Sequence, residues 1–251
     1  MRSGDRSAVV LEGRLVITRA LSLPEWRVRR LAVTETALGA LRPVLDRMPA
    51  DRQPVVDVVS TAELEAEGGF HFHQGCLGYA DRPAPRSWEA IAATPGAGAI
   101  VVLDDVRDPD NVGNIFRSAL ALGARGILLG PGCADPLYRK AIRTSMAATL
   151  ALPFAEAAPW PELLDALRAH GFTIVATTPD ESAESIAEVA IRLRGQQIAV
   201  LAGSEGFGLT EAARARADVQ ARVPIAAGVD SLNVATAIAI VLYEVRDRVS
   251  G

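Results

Sequence analysis

Residues that could bind a ligand fall in three short blocks of the sequence, and the first block is residues 104–117. Asp108 or Asp110 can cap a helix in this block, with a proline close to its first turn. Asn111 beside a helix N-terminus could help to hold an anion such as a phosphate. Asn111 and Arg117 are six residues apart, so they do not share one tight helical face. The alternative is a capped helix on which Arg117 is merely solvated.

The second block, residues 203–208, reads Gly-Ser-Glu-Gly-Phe-Gly and follows a buried apolar run. Its three glycines allow backbone amides to approach a ligand closely. The block is not a P-loop, because no Gly-Lys-Ser/Thr follows, and it does not match the G-x-G-x-x-G dinucleotide fingerprint. Glu205 would repel a phosphate, so an uncharged or cationic ligand fits better. The alternative is a flexible turn capped by Thr210.

The third block is residues 223–233, Val-Pro-Ile-Ala-Ala-Gly-Val-Asp-Ser-Leu-Asn. The small residues 226–228 permit a close crossing of two chain segments, and Asp230 or Ser231 can cap the following helix. Residues 234–241 are apolar almost all round, which indicates a helix buried on several sides. Read alone, this block indicates only a good helix cap.

Strands that alternate with helices place these three blocks in loops. The predicted strands are residues 99–103, 126–129, 172–176, 197–201 and 219–223, and the predicted helices are residues 112–122, 135–148, 161–170 and 231–249. This alternation predicts an α/β fold in which a parallel sheet carries helices on both faces. Ligands bind beyond the carboxyl ends of such strands. We therefore expect the three blocks on one edge of the sheet.

A stretch rich in proline and glycine, residues 81–98, separates this part from a smaller α/β unit. In the smaller unit the sequence predicts strands at residues 8–11, 31–34 and 55–59 and helices at residues 28–31 and 37–48. We expect two domains, residues 1–93 and residues 98–251.

The composition, 49% hydrophobic and 22% charged over 251 residues, is typical of a globular protein. We expect no signal peptide and no membrane helix, which would need roughly 18 apolar residues in a row. Cys76 and Cys133 form no metal-ligand pair, and free thiols favour the cytoplasm. His71 and His73 are interpreted as surface residues or RNA contacts, and no metal site is expected.

The charge distribution is consistent with RNA as a partner. The formal net charge is −4, but residues 1–52 carry ten arginines against six carboxylates, a local surplus of +4. Lys140 is the only lysine among the 26 basic residues. Arginine contacts phosphates through two parallel hydrogen bonds and stacks on bases. The alternative is a GC-rich genome that encodes most cations as arginine.

Together and in this order, the three blocks resemble motifs one to three of the SpoU (TrmH-like) branch of the SPOUT methyltransferases. The matching patterns are N-x-x-x-x-x-R from Asn111, G-S-E-G from Gly203 and V-P-x-x-x-x-x-D-S-L-N-V from Val223. The likeness covers about residues 100–245. On shorter signals, such as Leu-Ala-Val-Thr at residues 31–34, the first unit resembles an L30e-like RNA-binding domain.

The resemblance implies an RNA 2′-O-ribose methyltransferase that uses S-adenosyl-L-methionine (AdoMet), forms a homodimer and ends in a deep trefoil knot. The implied catalytic residues are Asn111, Arg117, Glu205, Ser231 and Asn233. The implied cofactor-binding residues, which act largely through backbone groups, are Leu201, Gly203, Val223, Ile225 and Leu232.

Within this implied site Arg117 lies against the 2′-hydroxyl and Asn111 orients it. A guanidinium stays protonated in proteins, so we expect Arg117 to stabilise the developing alkoxide while the proton leaves to phosphate or water. Glu205 would orient Asn111 or Arg117, and Ser231 and Asn233 would fix the substrate phosphate and the loop.

The sequence allows more than one substrate and more than one function. The RNA is 23S ribosomal RNA, which the first domain favours, or tRNA. A protein of the same fold could also bind RNA without catalysing a reaction, although all five motif positions carry the expected residue types. A Rossmann-type oxidoreductase would share the alternating pattern but requires the dinucleotide fingerprint that is missing after Leu103.

Overall fold

The computed structural model describes residues 8–68, 75–95 and 98–246. The chain divides into two compact units, Met1–Ala84 with Pro136–Ala151 and Pro85–Asp135 with Leu152–Gly251. His71 and His73 lie outside the described residues, as does the predicted end of the last helix at residues 247–249. Within the described ranges, no helix combines the length and the apolar character needed to cross a membrane.

The helices and strands follow one another along the chain in the predicted α/β manner. The strands are β1 (Ala8–Glu12), β2 (Val28–Val33), β3 (Val55–Val58), β4 (Cys76–Asp81), β5 (Ile100–Asp104), β6 (Gly126–Leu129), β7 (Phe154–Glu156), β8 (Phe172–Thr177), β9 (Glu184–Ser185), β10 (Gln197–Gly203) and β11 (Val219–Arg222). The helices are α1 (Arg14–Ser22), α2 (Glu35–Leu45), α3 (Thr61–Gly68), α4 (Trp88–Ala92), α5 (Pro109–Ala121), α6 (Arg139–Thr144), α7 (Ala148–Ala151), α8 (Leu163–Ala169), α9 (Ile186–Arg192), α10 (Glu211–Arg214) and α11 (Val234–Val245).

The first unit contains a sheet of four described strands in the order β1-β4-β2-β3. β4 is antiparallel to both of its neighbours, and β2 is parallel to β3. The later segment with α6 and α7 belongs to this unit. Two contacts join this segment to the rest of the unit. Trp26 Nε1 donates to the carbonyl of Leu150 at 2.9 Å, and Arg139 Nε lies 3.7 Å from Glu12 Oε2.

One prediction in this unit was wrong, and one helix was not predicted. Residues 28–31 were expected to be helical but form part of β2, where a register shift between Val28 and Arg30 leaves Arg29 and Arg30 exposed in succession. Such a bulge breaks the two-residue alternation that identifies a strand. The helix α1 was missed, although Val16, Ile17, Ala20 and Leu21 have helical spacing and are buried.

The helix predicted at residues 135–148 is also wrong in its extent. α6 ends at Thr144, and a second short helix, α7, begins at Ala148. Met146 and Ala147 lie between them with φ of 52° and 64°. Residues without the freedom of glycine rarely adopt this left-handed conformation, so the hydrophobic pattern did not indicate a break.

The second unit is built on a sheet of seven described strands in the order β7-β6-β5-β10-β8-β11-β9. All of its pairings are parallel, which confirms the predicted sheet. On one face Ile100, Val102 and Leu201 pack in a buried cluster with residues of α4, α8 and α10. The alternate residues Val101 and Val200 are equally buried and point to the opposite face. α11 contacts both β10 and α5.

The parallel strands bring the three sequence blocks to one edge of this sheet. β5 and β10 are neighbours, with Asp104 opposite Gly203, so the first two blocks leave the sheet side by side. The third block follows β11, which β8 separates from β10. The expected trefoil knot stays a prediction.

Candidate functional site

Asn233 joins the three blocks through its side-chain amide. Its Nδ2 donates to Asn111 Oδ1 at 2.9 Å and to Glu205 Oε1 at 2.8 Å. Its Oδ1 accepts from the backbone N–H groups of Ala235 and Thr236 at 3.0 and 3.3 Å. A carboxylate only accepts and a backbone N–H only donates, so these partners dictate which way the amide faces. One side chain therefore caps α11 and links the other two blocks.

The capping residue of α11 differs from the prediction. Asp230 and Ser231 were expected to cap this helix, but Asn233 is its N-cap and both expected residues are exposed in the preceding loop. Asp, Ser and Asn all cap helices well, so residue type alone could not choose among them. The tertiary contacts of Asn233 decide where the helix begins.

Asn111 lies in the first turn of α5. Asp108 is the N-cap of this helix, and its Oδ1 accepts from the backbone N–H of Asp110 at 2.9 Å. This confirms one of the two predicted caps and places Pro109 at the start of the helix, where its missing N–H costs nothing. Asn111 is only 6% exposed, although it is polar. Burial of an amide requires partners, and Asn233 supplies one.

The loop after β10 is a closed turn rather than a flexible one. Ser204 and Gly208 exchange backbone hydrogen bonds of 3.1 and 2.9 Å. Gly203 packs so closely on Gly208 that any side chain there would collide with the backbone. Gly206 and Gly208 have φ of 87° and 68°, a conformation that favours glycine. The glycines are therefore required by the geometry of the turn itself.

A buried carboxylate that sequence reasoning missed anchors this turn. Asp104, at the end of β5, is 1% exposed, and its Oδ2 accepts from both the backbone N–H and the hydroxyl of Thr210 at 2.8 Å. Thr210, which the alternative interpretation made the cap of a flexible turn, is the N-cap of the short helix α10. The available signal was an acidic residue directly after an apolar strand, because such a residue needs partners when it is buried.

A cleft of about 210 Å³ opens where these elements meet. Its lining consists of Asp105, Val106, Arg107, Asp108, Asn111, Ser204, Glu205 and Phe207. Arg107 Nε donates to Asp105 Oδ1 at 2.7 Å, and this hydrogen bond raises the pKa of the Arg107 guanidinium above its ordinary value. The cleft thus combines one arginine, three carboxylates, a buried amide and an aromatic ring.

The structure gathers only part of the predicted catalytic set. Asn111, Glu205 and Asn233 are joined by hydrogen bonds, and we call them the amide bridge. Arg117 is exposed on α5, and Ser231 is exposed in the third block. Glu205 was expected to orient Asn111 or Arg117, but it contacts Asn233, which in turn contacts Asn111.

The predicted cofactor-binding residues lie at the same edge of the sheet. Leu201 is buried in β10, and its carbonyl accepts from the Thr177 hydroxyl at 3.2 Å. Gly203 ends that strand, and Val223 directly follows β11. Ile225 and Leu232, from the loop after β11, are also half-buried. Half-buried apolar side chains beside a glycine-rich backbone turn fit a nucleoside such as that of AdoMet, which needs an apolar wall and backbone partners.

The expected close chain crossing at residues 226–228 is not found at its glycine. Gly228 is exposed, and a side chain built there would meet no described atom within 4 Å. Its φ of 83° shows that glycine serves the local turn instead. Gly203 and Gly208, by contrast, do make a tight approach at this edge.

Comparison with known proteins connects this geometry to a family. The model of the SpoU rRNA Methylase family matches residues 98–243. An uncharacterized tRNA/rRNA methyltransferase of Mycobacterium tuberculosis is 40% identical over 240 residues, which cover 95% of this chain and 81% of the relative. The 23S rRNA (uridine(2479)-2′-O)-methyltransferase of Streptomyces viridochromogenes is 36% identical over 155 residues, or 60% of this chain and 53% of the relative.

A solved structure agrees over nearly the whole length. The SpoU methyltransferase of Streptomyces viridochromogenes in complex with the cofactor AdoMet has a TM-score of 0.79 and 27% identity, and the match covers 98% of this chain and 92% of the other. The predicted family, enzyme class and methyl donor are thereby confirmed, whereas the L30e-like likeness of the first unit stays a prediction. The chain belongs to the SpoU rRNA Methylase family.

Proposed function

We propose that this protein transfers a methyl group from AdoMet to a ribose 2′-hydroxyl of 23S ribosomal RNA. The observation that carries the proposal is the amide bridge, in which three motif residues far apart in sequence meet beside one cleft. Relatives named as 23S rRNA 2′-O-methyltransferases support ribosomal RNA as the substrate. The name of the mycobacterial relative includes tRNA, which is therefore the second candidate.

Asn111 is the residue of the amide bridge that faces the substrate in this proposal. Its Oδ1 already accepts a hydrogen bond from Asn233, so the atom that it can offer is the Nδ2 donor. A donor at this position suits an oxygen of the ribose or of its phosphate. Glu205 and Asn233 act as positioning residues, because they hold the Asn111 amide in one orientation. A fixed orientation matters, since alignment of the reacting atoms is itself a large part of the rate.

Arg117 acts on the same substrate from another part of α5. Arg117 follows Asn111 by six residues, which is about 9 Å along the helix axis and about one and two thirds turns around it. The two side chains therefore leave the helix in different directions. Its guanidinium stays charged and stabilises the alkoxide as the proton leaves to phosphate or water. When bound near Gly203, Val223 and Leu232, AdoMet supplies an electrophilic methyl group.

Methylation of RNA by the purified protein tests this proposal. Ribosomal RNA from cells that lack the gene should accept labelled methyl groups, and mapping of 2′-O-methyl sites should give one nucleotide in 23S RNA. Arg117→Ala should lower turnover by about 100-fold or more, the cost of removing one oxyanion partner, while AdoMet affinity by calorimetry and the melting temperature stay unchanged.

Arg214→Ala is the matched control, because Arg214 is an exposed arginine on α10 of the same unit. It should keep wild-type turnover. Wild-type turnover in Arg117→Ala would show that Arg117 takes no part in the reaction. Labelling confined to tRNA would show that tRNA is the substrate of the same reaction.

The proposal extends to the domains, the oligomeric state and the location of the protein. The first compact unit, expected at residues 1–93, is an L30e-like RNA-binding domain, and the second, expected at residues 98–251, is the catalytic domain. A homodimer forms through α11, a mostly apolar helix on which Tyr243 is 53% exposed and Ile240 is half-buried. Light scattering after gel filtration should give the mass of two chains. A ribosomal substrate places the protein in the cytoplasm.

A further inference from the structure

Phe207 stands out among the residues of the cleft because its side chain is 93% exposed. Large aromatic side chains normally bury most of their surface, since water is a poor environment for them. Phe207 nevertheless lies at the tip of the turn between Ser204 and Gly208 and lines the cleft together with Asn111 and Glu205. The proposed mechanism gives Phe207 no role.

Hydrogen bonds hold the turn that carries Phe207 at its tip. Ser204 and Gly208 close the turn with two backbone hydrogen bonds, and the Asp104–Thr210 contacts secure the chain immediately after it. These contacts fix the point at which the Phe207 side chain leaves the backbone, at the exposed tip of the turn. A ring presented on an ordered turn suits a stacking partner, because the backbone that carries it does not have to be ordered on binding.

The ring is accessible to a ligand, because 93% of the side chain is exposed and both neighbours in the chain are glycines. Side chains built at Gly206 or Gly208 would meet no described atom within 4 Å. A flat ligand can therefore approach Phe207 without displacing its neighbours. The other residues of the cleft are largely polar or charged, so the site offers one aromatic surface rather than the continuous apolar patch of a protein interface.

We infer that Phe207 is the stacking surface for the base of the methylated nucleotide, an inference that rests on the proposed function. In the proposed function Asn111 faces the target ribose, and Asn111 lines the same cleft as Phe207. The base is bonded directly to that ribose, so it enters the same cleft when the nucleotide is unstacked from its RNA. Proteins hold single-stranded bases by stacking them on aromatic side chains. Phe207 thus binds and positions the substrate without touching the reacting atoms.

Steady-state kinetics on the mapped RNA fragment test this role. Phe207→Leu keeps an apolar side chain but removes the ring, and it should raise KM for RNA about tenfold, within the range found for loss of one base–aromatic stack. Phe207→Trp should keep KM within about threefold, because a larger ring stacks at least as well. The kcat of both variants should change less than KM. Ile191→Ala is the control, since Ile191 is 70% exposed on α9 of the same unit and should have no effect.

An RNA fragment whose target nucleotide lacks its base identifies the partner of the ring. On this abasic substrate the KM of wild type and of Phe207→Leu should become equal. A tenfold difference that persists would show that the ring contacts another part of the RNA and would overturn the inference. The fluorescence of Phe207→Trp should fall when the intact fragment binds, and an unchanged signal would equally contradict stacking.

Further measurements separate this inference from the proposed function. Calorimetry with AdoMet should give the same affinity for wild type and Phe207→Leu, and weaker binding would assign the ring to the methyl donor. Gel filtration should give the same mass, and a change would assign it to a protein interface. Absence of RNA methylation by the wild type would contradict the proposed function, whereas wild-type kinetics in Phe207→Leu would contradict only the stacking role.

Discussion

At the scale of single residues, the two ends of the Asn233 amide have separable tasks. The oxygen caps α11, and the nitrogen completes the amide bridge to Asn111 and Glu205. A serine can accept the capping hydrogen bonds but is too short to take over both contacts of the nitrogen. An alanine can do neither. Substitution at this position can therefore distinguish stability of the helix from orientation of the site.

We predict that Asn233→Ser and Asn233→Ala lose methylation to a similar extent, because both leave Asn111 without its partner. Their stabilities should differ, with Asn233→Ala less stable than Asn233→Ser by about 1 kcal/mol, the usual cost of a lost N-cap. Urea unfolding measures the difference, and the methylation assay measures the shared loss. Full activity in the serine variant would show that the amide bridge is dispensable.

At the scale of elements, the turn after β10 depends on a carboxylate from a neighbouring strand. Asp104 ends β5 beside Gly203, and it satisfies two donors of Thr210 while nearly inaccessible to water. Burial of a charge is unfavourable unless hydrogen bonds compensate it, and loss of either partner leaves the other unsatisfied. The geometry of the cleft is therefore coupled to packing inside the sheet.

We expect Asp104→Ala to lower the free energy of unfolding by about 2 kcal/mol, because hydrogen bonds to a charged group contribute this much and the Thr210 donors stay buried. RNA methylation should fall as well, since Glu205 and Phe207 belong to the turn that Asp104 secures. Urea unfolding followed by circular dichroism measures the first effect.

Glu181→Ala is the control for Asp104→Ala. Glu181 is an exposed carboxylate of the same unit, so its removal should change stability by no more than about 0.5 kcal/mol. An equal loss of stability in both variants would mean that the Asp104–Thr210 contact contributes nothing specific.

At the scale of the whole molecule, each compact unit carries one cysteine. Cys76 lies in the first unit and Cys133 in the second. Burial raises the pKa of the Cys76 thiol to about 11, and burial is also the main reason why the pKa of Cys133 rises to about 11. The thiolate is the reactive form, so both groups should be unreactive in the folded protein near neutral pH.

We predict that iodoacetamide at pH 8 labels both cysteines slowly in buffer and rapidly in denaturant. A pKa near 11 leaves on the order of a thousandth of the thiol ionised at pH 8, whereas an unfolded thiol with a pKa of about 8.5 is ionised to roughly a quarter. Mass spectrometry of labelled peptides follows each unit separately along a urea series. Rapid labelling of either cysteine in buffer would contradict its burial.

Much of the architecture could be predicted from local patterns. Short apolar runs identified β5, β6, β8 and β10, since strands buried on both faces need apolar residues throughout. Gly123 and Gly171, two glycines with positive φ, lie just beyond the ends of α5 and α8, at the position where glycine commonly ends a helix. The order of the three blocks identified the family. The second half of β2 was predicted as a strand, but its first half was not, because the bulge between Val28 and Arg30 disturbs the alternation on which such a prediction depends.

By itself the sequence determined the parallel α/β sheet, the edge that carries the site and the residue types available there. Only the tertiary structure decided that Asn233 bridges to a residue 122 positions away and that Asp104 holds Thr210 across 106 positions. It also assigned the segment Pro136–Ala151 to the first unit. The physical reason is that hydrophobic periodicity reports which face of an element is buried, whereas strand order and helix entry points decide which distant side chains meet.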